Sequence, residues 1–155
     1  MIEIGSMRML CALGRGGIRH RKWEGDGGTP AGQWRLVAVL YRADRGRRPS
    51  TGLPVRAIRA NDGWCDAPGD RNYNRAVRLP YPASHEEMAR EDGLYDIVVV
   101  LDHNTRPRRR GGGSAIFIHV ARPDYLPTEG CIALKAADLV RLLANLGRRA
   151  WVVVP

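Results

Sequence analysis

Lysine is almost missing from this chain. Of its 25 basic residues 23 are arginine, and only Lys22 and Lys135 are lysine. Against 16 acidic residues they leave a formal net charge of +9, a field that attracts nucleic acid, anionic lipid or a carboxylate-rich polymer. Arginine alongside abundant Gly, Ala and Pro is also what GC-rich codon usage yields, so charge alone selects no partner. Phenylalanine occurs once, at Phe117, and the stacking arrays of common single-strand binders are absent, so no nucleic-acid partner is expected. Cysteine occurs three times, at 11, 65 and 131, without a C-x-x-C spacing. That pattern argues against a disulfide framework and a zinc ribbon, and neither a metal nor a cofactor is expected. The apolar runs Leu36 to Tyr41 and Ile97 to Leu101 fall far short of the roughly 18 residues of a membrane span. Met9 to Leu13 is too short for a secretory core and is broken by Gly14 to Gly17, so no export signal is expected. P-loop and dinucleotide glycine patterns are absent too.

What is present is 155 residues with 44% apolar and 26% charged side chains, which predicts one globular domain over 1–155. Met7 to Leu13, Trp34 to Tyr41, Val55 to Ala60, Leu94 to Leu101, Ala115 to Val120 and Ala150 to Val154 read as strands. The unbroken run Ile97 to Val100 predicts a central strand buried on both faces. Glu24 to Gly32 has four glycines in its first nine residues with Gly32, and reads as a loop whose backbone turns through positive φ or approaches something closely. Asn61 to Pro82 reads as an ordered irregular wall or lid, because its aromatics argue against disorder. Ser84-His85-Glu86-Glu87 matches a capping box and predicts a short helix to Asp92, stopped by Gly93. Leu139, Leu142, Leu143 and Leu146 predict a second, amphipathic helix from about Ala136 to Gly147. The expected fold is therefore mainly β with two helices.

Chemistry concentrates between His119 and Cys131. A thiol needs a neighbouring base to act as a nucleophile near neutral pH, and an imidazole at an adjacent strand end can accept its proton. Pro123 and Pro127 let the intervening loop double back. Gly130 leaves the backbone unshielded, so the amides of Gly130 and Cys131 can donate to a developing oxyanion. These parts describe acyl transfer through a thioester. Each also has a plainer reading: a buried structural cysteine, a hydrogen-bonded strand histidine, a turn glycine.

On these residues the sequence resembles the YkuD-type L,D-transpeptidase catalytic domain family. Ala115-Ile116-Phe117-Ile118-His119 is similar to its base-bearing strand, and Thr128-Glu129-Gly130-Cys131-Ile132 to its nucleophile loop. Gly28-Thr29-Pro30-Ala31-Gly32 is similar to its early Gly-Thr-Pro-x-Gly segment, so the likeness spans nearly the whole chain. It implies a β-sandwich-like fold without metal, Cys131 as nucleophile, His119 as general base, Gly130 with the Cys131 amide as oxyanion site, and Thr128 shaping the pocket. It also implies peptidoglycan stem peptides as substrate, 3-3 crosslinks as product and carbapenem acylation at Cys131. Glu129 stands in place of the family's usual His, Ala133 where many members have Arg or Asn, and the His119–Cys131 loop is shorter than usual. Arg122 is the candidate to take over a substrate carboxylate. Val120 has no polar side chain, so a backbone carbonyl or a distant group must orient the imidazole.

Two other readings remain. With water as acceptor the same pair would make an L,D-carboxypeptidase or peptide hydrolase. A basic, non-catalytic module binding nucleic acid or an anionic polymer through Arg42 to Arg48 and Arg106 to Arg110 is the rival from another class. The resemblance implies the periplasm or the cell-wall face, whereas the expected lack of an export signal leaves the cytoplasm open.

Overall fold

The computed structural model describes residues 1–155. Along the chain run β1 (Ile2–Ile4), β2 (Met7–Met9), β3 (Ile18–Arg19), β4 (Thr29–Pro30), β5 (Gly32–Tyr41), β6 (Val55–Ala57), β7 (Asp62–Cys65) and β8 (Arg75–Arg78). They are followed by β9 (His85–Glu87), β10 (Ile97–Leu101), β11 (Phe117–Val120), a 3-10 turn at Pro123–Tyr125, β12 (Ile132–Leu134), α1 (Ala136–Ala144) and β13 (Trp151–Val154). The fold is mainly β with a single α-helix. No helix is long and apolar enough to cross a membrane.

The main sheet runs β12-β11-β10-β5-β13, with β6 alongside the far half of β5. β10 is central, as its β-branched run predicts, and it pairs antiparallel with both neighbours, while β11 and β12 are parallel. Alternation along these strands divides the core in two. Val39, Val99, Ile118, Ile132 and Leu134 face Leu139, Leu142 and Leu143 of α1 and Leu146 just beyond it. Leu40, Val98, Val100, Phe117 and Cys131 face the opposite way, toward Ile58, Met88 and Tyr95. His119 shares that second face, because Val98 lies opposite it in the β10–β11 register.

The expected helix at Ser84 to Asp92 is not there. Residues 85–87 form β9 and pair with β7, His85 opposite Cys65 and Glu86 opposite Trp64. The segment has one fully buried apolar anchor, Met88, and one residue cannot make the stripe that holds a helix to a core. Its backbone groups gain more from the open edge of β7 than from a capping box. The expected irregular wall at Asn61 to Pro82 is ordered, but as an antiparallel β7–β8 hairpin that joins β9 in a three-stranded sheet. The first expected strand is split: β1 and β2 make a hairpin, and beyond it only Ala12 and Gly14 bridge to Ala133 and Thr128.

Candidate active site

Strand register places Cys131 and His119 on one face of the sheet. Ile118 lies beside Ile132 and His119 beside Ala133 on the parallel β11 and β12. Cys131, one residue before β12, is therefore level with Phe117, and His119 is its diagonal neighbour on the same face. No hydrogen bond joins the thiol to the imidazole in this arrangement: each is bonded to backbone groups instead. Both residues line one cleft of about 370 Å³.

Cys131 sits at the cleft floor, 9% exposed. Its Sγ donates to the Ala115 carbonyl at 3.2 Å and accepts the Phe117 amide at 3.4 Å. Burial pushes the thiol up to about 12, only partly opposed by the Phe117 amide. His119 Nδ1 lies 2.8 Å from the Val120 carbonyl oxygen, which places the ring proton on Nδ1 and the lone pair on Nε2. The backbone carbonyl is thus the orienting group that no side chain of the sequence identifies. Burial lowers the His119 pKa, and the Val120 carbonyl opposes this. The Tyr95 ring packs against the imidazole at 5.5 Å between centroids.

The loop carrying Cys131 is braced by Thr128, whose hydroxyl donates to the Cys131 carbonyl at 2.6 Å and accepts the Gly130 amide at 3.2 Å. The Gly130 amide therefore already has a partner, whereas the Cys131 amide has none within the chain and is the donor available to an oxyanion. Gly130 has φ +134, and a Cβ there would lie 2.8 Å from the Gly28 carbonyl oxygen. The early glycine-rich segment thus approaches something closely, and what it approaches is the loop carrying Cys131. Thr29, fully buried, fixes that contact by accepting the Gly14 amide at 2.8 Å.

Four carboxylates line the cleft. Glu24 accepts the Ser114 hydroxyl at 2.7 Å and the Tyr73 hydroxyl, and it raises the Tyr73 pKa after burial has done so. Glu86, whose pKa is raised by burial, accepts the Tyr95 hydroxyl at 3.3 Å and lies 3.5 Å from Arg90. Asp66 keeps one buried oxygen without a partner. Glu129 pairs with Arg15 at 2.9 Å in the open. Two guanidiniums oppose them: Arg90, held by Asp92 and Glu86, and Arg122, exposed and without a carboxylate partner. The structure thus places Cys131, His119, Thr128 and Arg122 around one cleft, with Gly130 buried beside Cys131. Glu86, Arg90 and Tyr95 are missed by sequence reasoning, because nothing local marks a segment that reaches the cleft only through β9 pairing.

Asn74 was also illegible. It is buried at φ +54, and its Oδ1 accepts both the Trp64 indole N–H at 3.0 Å and the Ala115 amide at 3.1 Å. Its Nδ2 donates to the carbonyls of His103 and Asn104, both at 3.0 Å. Ala115, itself at φ +51, is the residue whose carbonyl takes the Cys131 thiol hydrogen. All three cysteines are free thiols.

Among known proteins, the family model for the L,D-transpeptidase catalytic domain, YkuD, matches residues 3–154. Neither a curated protein nor a solved structure matches the chain.

Proposed function

The chain belongs to the YkuD family of L,D-transpeptidase catalytic domains, and from that premise we propose that it transfers a peptidoglycan stem peptide through a thioester on Cys131. The observation that carries this reading is the diagonal pairing of Cys131 and His119 on one sheet face, open to one cleft. At rest the pair is uncharged, a thiol beside a neutral imidazole. His119 Nε2 takes the thiol proton as sulfur attacks the carbonyl of the L,D bond, and returns it to the amine of the departing D-residue. The Cys131 amide meets the tetrahedral oxyanion, and Arg122 meets a substrate carboxylate at the rim. An amine of a second stem then displaces sulfur, giving up its proton to His119 and leaving a 3-3 crosslink. Water in its place gives the carboxypeptidase outcome, with the same parts. On this reading the activity lies at the cell-wall face, where peptidoglycan is built.

The test is intact mass after incubation with a carbapenem. Wild type gains one adduct and Cys131→Ala none, while His119→Ala slows acylation by roughly two to four orders of magnitude. An adduct on Cys131→Ala, or an unchanged rate for His119→Ala, overturns the assignment. Product mass with a stem-peptide donor and an amine acceptor separates transfer from hydrolysis.

A further inference from the structure

A second concavity, about 1270 Å³ and much larger than the cleft, lies beside it. Its walls carry Arg19, Arg21, Arg35 and Arg75, and its rim the four arginines of residues 106–110. None of these eight arginines is ion-paired, and the only other cation there, Lys22, is paired with Asp26. The single carboxylate among the lining residues is Asp102, which accepts the Arg35 amide. Elsewhere seven arginines, among them Arg42, Arg45 and Arg90, do find carboxylates. Codon usage can raise the number of arginines, but it does not bring eight of the sixteen that lack a carboxylate partner from four separate chain segments to one hollow.

We propose that this basin binds an anionic polysaccharide, a strand of sugar rings bearing carboxylate or phosphate, apart from the peptide cleft. Unpaired guanidiniums spaced along a groove match repeated oxyanions, which they bind bidentately. The indole of Trp23, 64% exposed on the basin wall, offers a flat apolar face to a sugar ring. Trp34 and Trp64 are half-buried and spend their indole N–H groups on Pro30 and Asn74, so no run of stacking platforms exists for successive bases. A hollow also cannot enter the groove of a duplex as a helix or ribbon does. The basin shares a wall with the cleft: Lys22 and Trp23 face one side and Glu24 the other, and the Glu24 amide is bonded to the Gly111 carbonyl at 2.8 Å. A strand held here lies next to a peptide held over Cys131. The inference needs no thioester chemistry, so it stands or fails separately from the proposed reaction.

The test is fluorescence anisotropy with labelled polygalacturonate and phosphomannan, against neutral dextran, poly-L-glutamate and oligo-dT. At least one of the two anionic polysaccharides binds, and comparing them tells which oxyanion is preferred. Dextran does not bind. Affinity falls at least about tenfold between about 50 and about 200 mM salt. The double variant Arg109→Glu/Arg110→Glu and the opposite-wall variant Arg19→Glu each weaken binding at least about tenfold, with far-UV spectra checking the fold. Trp23→Ala weakens the polysaccharides and spares poly-L-glutamate. Cys131→Ala binds as wild type. Equal binding of dextran, tighter binding of poly-L-glutamate or oligo-dT, unchanged affinity in both arginine variants, or loss of binding in Cys131→Ala would each overturn the proposal.

Discussion

Burial acts on Cys131 and His119 in one direction, toward their neutral forms. The Cys131 thiol is pushed up to about 12 and the His119 pKa is pushed down. No thiolate–imidazolium pair is therefore standing ready, and the proton must move as the acyl group arrives. Two consequences are measurable. The acylation rate should hold as pH falls to about 6.5, the ordinary imidazole value, and decline only below it, because a lowered His119 stays an unprotonated base past that point. In mass-resolved alkylation with iodoacetamide at pH 7, half-exposed Cys11 should label before Cys131, and Cys131 labelling should rise with pH. Fast, pH-independent alkylation of Cys131 between about pH 6 and 8 would contradict a neutral resting pair. That Cys131, His119 and Thr128 line one cleft was legible from strand alternation and the turn residues between them. That the Val120 carbonyl orients the imidazole, and that the Thr128 hydroxyl takes up the Gly130 amide and leaves only the expected Cys131 donor free, was not, since backbone directions depend on which edge of β12 meets β11.

Among the elements, those read correctly are the ones whose periodicity is decided by burial: β10, β11, the far half of β5, α1 and β13. Those misread have little to bury. β9 is polar at all three positions, and its state is decided by an edge strand remote in sequence. That edge matters for the site, because β7–β9 bring Glu86 and Arg90 over the cleft. The small sheet is fastened to the 103–115 segment chiefly through Asn74, which makes four hydrogen bonds from one side chain. Asn74→Ala strands the Trp64 indole N–H and the Ala115 amide and puts a β-carbon without a polar tip in the left-handed region. It should cost about 3 kcal/mol in urea unfolding. Asn74→Gly, which tolerates the backbone angle, should recover about 1 kcal/mol of that. A loss under about 1 kcal/mol for Asn74→Ala would mean that the sheet is held elsewhere.

Across the molecule, charge is sorted rather than spread. Four carboxylates face the cleft while eight unpaired arginines face the basin next door. The +9 total could be read from the sequence, but not this division, because the contributing residues are scattered from Arg19 to Arg110 and converge only on folding. Like charges around one hollow repel, so the basin should cost stability in the absence of a polyanion. Arg109 tests this cleanly: its backbone is bonded to Asn104, and its exposed side chain has no partner. Arg109→Glu should therefore raise stability, by about 0.5 kcal/mol at low ionic strength, even as it weakens polyanion binding. The gain should shrink as salt shortens the screening length to about 8 Å near physiological strength. Urea midpoints of wild type and variant at low and high salt measure both effects. If Arg109→Glu lowers the midpoint at low salt, the arginines are not in mutual repulsion, and the folded chain carries no cost that a bound polyanion would relieve.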